Sequence, residues 1–253
     1  MTVIKSFFIA FSIYSKIPMP QFEWKEKDME YSLCFFPWVG AVIGLLEYLW
    51  LWLAFCFYID KIAVCCVAAA IPVIVSGGFH VDGYMDTMDA LHSYQPREKK
   101  LEILKDSHVG AFAVIMLLVY YLIYVGAYSM VAGREGFAVF CLGFYMSRIL
   151  SGIGVVTLKS AKNDGMLHTF ATSASEKVVK VVLALQLIIC IALMLMINVR
   201  TGAMTVAGAG LTYAYYAWKS KKEFGGITGD LAGYFVTLCE GVIVIITAVG
   251  GLI

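Results

Sequence analysis

Charge is what this sequence has least of. Lysine, arginine, aspartate and glutamate make up 15% of its 253 residues, against about 25% in an ordinary soluble domain, while 61% are hydrophobic and the mean hydropathy is +0.82. That imbalance excludes a conventional water-soluble fold and assigns the chain to a bilayer. A net charge of +1 without a strongly basic face points away from nucleic acid as a partner. Paired cysteine motifs are also missing. The seven cysteines (Cys34, Cys56, Cys65, Cys66, Cys141, Cys190, Cys239) are odd in number, contain no C-x-x-C and lie in or beside apolar runs. They read as small reduced residues, not as a disulfide framework or a structural zinc site. The N-terminal MTVIKSFFIAFSIYSKIPMP has a lysine and an apolar stretch but no A-x-A-like cleavage site, and residues 6–15 are too few to span. An interfacial helix ending before Pro18 is expected there.

What is abundant is apolar sequence in runs of about 20 residues, the length a transmembrane helix needs. Seven candidates occur, at 33–58, 62–79, 111–132, 137–158, 180–198, 202–218 and 231–253. Short connections (59–61, 133–136, 199–201) alternate with long ones (the N-terminal arm, 80–110, 159–179, 219–230), so consecutive spans should form hairpins with every long connection on one side. Lys5, Lys16, Lys25, Lys27, Arg97, Lys99, Lys100, Lys105, Lys159, Lys162, Lys177, Lys180, Lys219, Lys221 and Lys222 fall on the long-loop side; Lys61, Arg134 and Arg200 fall on the other. The positive-inside rule then places the long loops in the cytoplasm. The expected fold is all-α: a polytopic integral membrane helix bundle of about seven transmembrane helices plus an N-terminal interfacial helix, one domain over 1–253.

Against this background three cytoplasmic segments stand out. The first, FHVDGYMDTMDALH, puts Asp82, Asp86 and Asp89 four and then three residues apart, on one helical face. Helix capping and the helix dipole satisfy one or two acids, at about 0.3–1 kcal/mol each; three on a stripe exceed that need. Hard oxygen ligands without thiolates suit Mg²⁺ or Mn²⁺ sharing substrate phosphates.

The second, KDSHVG, holds Lys105, Asp106 and Ser107. Taken alone it is explained by an N-cap at Ser107 or Asp106, but it closes the loop that the aspartate stripe opens, which makes Lys105 a candidate phosphate contact. Arg97, Lys99 and Lys100 read as topology signals. The third, GGITGDLAG, contains Gly225, Gly226, Thr228, Gly229 and Asp230. Glycines let a ligand approach the backbone, and a helix start offers free N–H groups to phosphate; a plain interhelical turn is the alternative. The mixed-charge EWKEKDMEYS arm reads as a solvated stretch, and 159–179, with Asn163, Asp164, His168 and a cap near Ser175, as a polar loop.

Within the spans, ionisable residues are confined to Glu47, Arg148 and Glu240. Such groups are usually paired or face a polar cavity. Arg148 and Glu240 lie about ten residues, roughly 15 Å at helical rise, from the cytoplasmic ends, so an ion pair between them is expected. Glu47 has no evident partner.

Together, FHVDGYMDTMDALH, KDSHVGAF and GGITGDLAG, in this order and with the N-terminal FFIAFSIYSKIPMP, resemble the cobalamin synthase family, the adenosylcobinamide-GDP ribazoletransferases, over essentially the whole chain. The resemblance implies a Mg²⁺-dependent enzyme of the bacterial cytoplasmic (inner) membrane, with its active site facing the cytoplasm. It would join α-ribazole or its 5′-phosphate to adenosylcobinamide-GDP and release GMP. His80, Asp82, Gly83, Asp86 and Asp89 match the acidic motif, Lys105, Asp106 and Ser107 the second, and Gly225, Gly226, Thr228, Gly229 and Asp230 the third. Such chemistry needs charge neutralisation on a diphosphate and a base for a ribose hydroxyl. Asp82, Asp86 and Asp89 are the expected magnesium ligands, Asp89 or His80 the base, and Gly83 with the second and third motifs the substrate contacts. The oligomeric state is left open.

Two other readings compete. A divalent-cation transporter would use the stripe as an entry ring, although transporter ligands usually sit near the midplane. A CDP-alcohol-type phosphotransferase would share membrane, metal and diphosphate, but its D-G-x-x-A-R pattern is broken here by Asp86-Thr87.

Overall fold

The structure, a computed structural model, describes residues 2–20, 22–131, 133–161 and 175–251. Among these lie ten α-helices: α1 (Thr2–Tyr14), α2 (Ser32–Cys56), α3 (Lys61–Ser76), α4 (Phe79–His92), α5 (Arg97–Ile103), α6 (Ala111–Tyr128), α7 (Gly133–Thr157), α8 (Glu176–Ile197), α9 (Val199–Phe224) and α10 (Gly229–Gly250). A 3-10 turn at Glu26–Met29 precedes α2. The chain is a membrane helix bundle. With no water in the bilayer core, backbone groups there must be satisfied within each segment, which is why the long apolar runs are helical.

Among the described residues five helices are long and apolar enough to cross a membrane, α2, α6, α7, α8 and α10, or six spans with the bent α3–α4 pair as one, against about seven expected. The 62–79 candidate ends early, leaving α3 with 16 residues, and it reaches span length only when joined to α4, from which it is bent by 97°. The bend is made by Gly77 and Gly78, at φ 70° and 82°, a left-handed pair that residues with a side chain rarely adopt. The 202–218 candidate extends into the 26-residue α9, but threonines, glycines and tyrosines dilute its apolar content and it ends in Trp218-Lys219-Ser220-Lys221-Lys222.

Glycines set the helix contacts. Cβ atoms at Gly40 and Gly44 of α2 would collide with the backbone of Phe144 and Cys141 in α7. This is the small-xxx-small spacing by which membrane helices gain close van der Waals contact. Gly202 plays the same part in the α8–α9 hairpin, where a Cβ would lie 2.5 Å from the Met194 carbonyl oxygen. Most of α7 and α10 is buried, whereas α6 and α8 turn Ile115, Leu118, Leu122, Leu185, Ile188 and Ile189 outward to lipid.

The expected intramembrane pair is present. Arg148 Nη1 lies 2.6 Å from Glu240 Oε1 and also donates to the Phe144 carbonyl at 2.9 Å. Glu47, fully buried, accepts from the Tyr128 hydroxyl at 3.4 Å, a partner the sequence did not suggest.

The long connections gather at one end. Ser175 N–H donates to the Glu30 carbonyl, Ile227 pairs with the backbone of Lys159 and Ala161, and Lys100 reaches Glu223 at 2.5 Å. Asn198 and Glu135, from two short connections, meet at 2.9 Å. Ser175 is the N-cap residue of α8 but makes no side-chain capping bond. Asn163, Asp164 and His168 lie outside the described residues.

Candidate active site

The acidic motif forms α4, which packs against the first turns of α10 and α6 instead of continuing α3. Two glycines allow the α4–α10 contact: a Cβ on Gly83 would stand 2.5 Å from the Asp230 carbonyl oxygen, and one on Gly233 would stand 3.2 Å from the His80 Cα. Asp86, three residues after Gly83, is thereby brought within electrostatic reach of Asp230. Asp86 is half-buried, and its carboxyl is pushed up to about 7, first by burial and then by the charges of Asp82, Asp230 and Asp89.

Asp89 has another occupation. Its Oδ2 accepts the Gly110 N–H at 2.6 Å and its Oδ1 the Ala113 N–H at 2.9 Å. The amide groups at a helix start lack intrahelical partners, and for α6 this carboxylate from α4 supplies them. The cap expected from Ser107 or Asp106 therefore comes from another helix. Asp106 instead accepts from the backbone and ring nitrogens of His108, which holds its carboxyl below the usual range.

An Asp89→Ala change is expected to cost about 1–2 kcal/mol of stability, the loss typical of a helix cap. It should also speed amide exchange at the start of α6 while leaving the metal requirement of any residual turnover unchanged. Thermal unfolding in detergent and hydrogen exchange check this.

His80, the other expected base, is 5% exposed, packed against Phe36 and Phe79, and its Nε2 has no partner among the described residues. His80 is turned away from the open stripe, and Asp89, part of it and half-buried, has an amide on each oxygen. The second motif does sit near the stripe, because its turn leads into Gly110, and Lys105, Asp106 and Ser107 are all exposed.

The third motif divides. Gly225, at φ 75°, ends α9 and lies under the Arg97 guanidinium; Gly226 lies against the backbone of Lys159–Ala161. Thr228 is buried and its hydroxyl caps α10 through Leu231 N–H at 3.2 Å. These three make turn and cap contacts, and Gly229, with open space where a Cβ would stand, and Asp230 border α4. Arg97 and Lys100, read from sequence as topology signals, are structural contacts: the Lys100–Glu223 pair fastens α5 to α9 and holds the Glu223 carboxyl below its usual range.

For a divalent cation the donor chemistry fits: Asp82, Asp86 and Asp230 offer hard carboxylate oxygens, and the charges that weigh on Asp86 are all acidic. No three His, Cys, Asp or Glu side chains among the described residues converge into a ready-made cage, so phosphate oxygens would have to complete the ion's shell. On the opposite face of α4, Tyr84 and Met88 border an apolar groove of about 570 Å³ shared with Tyr120 and Tyr234.

Residues 6–248 match the family model described as cobalamin-5-phosphate synthase. Adenosylcobinamide-GDP ribazoletransferase of Lachnoclostridium phytofermentans is 41% identical over 237 residues, 94% of this chain and 90% of that one. Proteins of the same name from Clostridium perfringens and Fusobacterium nucleatum are 29% and 27% identical, the first covering 93% of this chain and 94% of its own, the second 91% and 92%. No solved structure matches. With the match running from the first helix to the last and taking in the acidic α4, the chain belongs to the cobalamin-5-phosphate synthase family.

Proposed function

We propose that this chain, acting as one domain over 1–253, joins α-ribazole or α-ribazole 5′-phosphate to adenosylcobinamide-GDP. The products are GMP and adenosylcobalamin or its 5′-phosphate. Besides family membership, the observation that supports this reading is the close Gly83–Asp230 contact, which puts Asp86 under the charges of Asp82, Asp230 and Asp89. In the reaction a bond forms between a ribose oxygen and the corrinoid-side phosphorus, the bridging phosphorus–oxygen bond breaks, and GMP leaves with the electron pair.

Mg²⁺, held by Asp82 and Asp230 together with the diphosphate, would neutralise the charge that develops. Asp86, half-buried and within electrostatic reach of both, takes the hydroxyl proton. This is the task first given to Asp89 or His80, and the capping bonds of Asp89 and the burial of His80 support the transfer. Lys105, exposed beside the stripe, steadies the diphosphate.

The fifteen-to-three bias of Lys and Arg supports a site facing the cytoplasm of a bacterial inner membrane. The stripe stands beside the first turns of α6 and α10, not midway along them, which favours a transferase over a transporter. Detergent-purified protein should release GMP from adenosylcobinamide-GDP only when α-ribazole and Mg²⁺ are both present. Divalent-cation uptake into sealed vesicles without GMP release would overturn the proposal.

A further inference from the structure

A cavity of about 580 Å³ opens between the end of α1 and the α3–α4 bend, and its wall includes Ser12, Ser15, Lys16, Ser76, Gly78 and Asp82. That volume lies within the range of small-molecule sites, about 300–1,000 Å³. Asp82 makes the cavity continuous with the acidic stripe, and Lys16 gives it a cation.

Lys16 is exposed, but its backbone N–H donates to the Val75 carbonyl at 2.8 Å, and its stem lies over Gly77, where a Cβ would come within 2.5 Å of Cε. The preceding turn is braced by the Ser15 hydroxyl, which donates to the Phe11 carbonyl at 2.6 Å and accepts Ile17 N–H at 3.3 Å. Among the described residues Lys16 and Asp82 enter no ion pair. The same wall carries the start of the 14-residue α4, whose N-cap Gly78 brings no side-chain acceptor, so the first-turn amides add to the attraction for an anion.

A site with an exposed ammonium, on a stem laid across Gly77, and uncapped amides on one wall and carboxylates next door suits a phosphate chain that a divalent cation would bridge to those carboxylates. We infer that this cavity receives the nucleoside diphosphate end of the corrinoid substrate, with Lys16 Nζ contacting the phosphate of the departing nucleotide. The inference deepens the proposed transferase reading and rests on it for the identity of the substrate, but binding can be measured without turnover.

The test titrates the detergent-solubilised full chain with GDP and Mg²⁺. Wild type should bind GDP, Lys16→Met should weaken it at least tenfold, and Lys16→Arg should stay within threefold. Ser12→Trp, an exposed helix residue that fills the cavity, should weaken it independently of charge. Lys99→Met, whose exposed lysine pairs with Glu102, should bind as wild type.

In turnover, Lys16→Met should raise KM for adenosylcobinamide-GDP while leaving KM for α-ribazole within twofold. Absence of GDP binding by wild type, or unchanged GDP affinity in both Lys16→Met and Ser12→Trp, would overturn the inference. If wild type binds GDP in a Lys16-dependent way but releases no GMP, the cavity assignment stands and the transferase reading falls. If GMP is released while both variants bind and turn over as wild type, only the cavity assignment falls.

Discussion

Replacing Asp86 with asparagine should abolish GMP release and, at pH 8, make the protein harder to unfold. Both effects come from one cause. The carboxyl is held at about 7 by burial and by its acidic neighbours, above the unfolded value near 3.9. Between those two values the folded chain binds the proton more tightly than the unfolded chain, so wild-type stability falls as pH rises through that window. Above it, Asp86 is ionised among like charges.

Asparagine keeps the shape, removes the charge and cannot accept a proton. The variant's thermal midpoint should therefore exceed that of wild type at pH 8 and converge with it below pH 4, where both side chains are neutral. Turnover should drop by about 10³-fold or more, the order that follows loss of a central catalytic group. Asp82→Asn should instead raise the Mg²⁺ concentration needed for half-maximal rate. Normal turnover in Asp86→Asn, or a midpoint gain equal at pH 4 and pH 8, would remove Asp86 from the role of base.

Breaking the Arg148–Glu240 pair should do the greatest damage to stability. Both groups are buried in the centre of the bundle, 2.6 Å apart, with Ser147 and the Phe144 carbonyl as further partners. Removing one partner strands the other's charge away from water, at a cost of about 3–5 kcal/mol. Arg148→Met and Glu240→Gln should each lower the thermal midpoint sharply in detergent. The double variant Arg148→Met/Glu240→Met, which buries no charge, should recover most of the loss. If the double variant is as unstable as the sum of the singles, the pair's contribution is not electrostatic and shape at that level of the bundle decides.

This pair was legible from sequence because only three charges enter the spans and two of them fall at the same depth. Helix positions were legible for a similar reason, since apolar length is the whole signal. The count was less so: α9 is long, but Thr201, Thr205, Thr212 and Tyr216 are buried in the bundle, and periodicity does not distinguish that from a lipid-facing span. In the acidic motif, spacing correctly put Asp82, Asp86 and Asp89 on one face. It carried no information about acceptors, and it took the 21-residue separation of Asp89 from Gly110 to be closed in space before the third acid proved to be a cap. Gly225, Gly226 and Thr228 have turn and cap contacts that the sequence did not specify, because a tight turn and a phosphate loop use the same residues. Gly83 against Asp230 is the contact that sequence reasoning had no means of finding.

Asp89 holding the start of α6 has a thermodynamic corollary. Each of its oxygens keeps a further lone pair beyond the one that the Gly110 or Ala113 amide uses, so an ion that shared Asp89 would draw on the same carboxylate charge, and linkage requires that helix start and ion affect each other by the same factor. The firmness of a lipid-embedded helix start would thus be tied to whatever else draws on the third acid of that face.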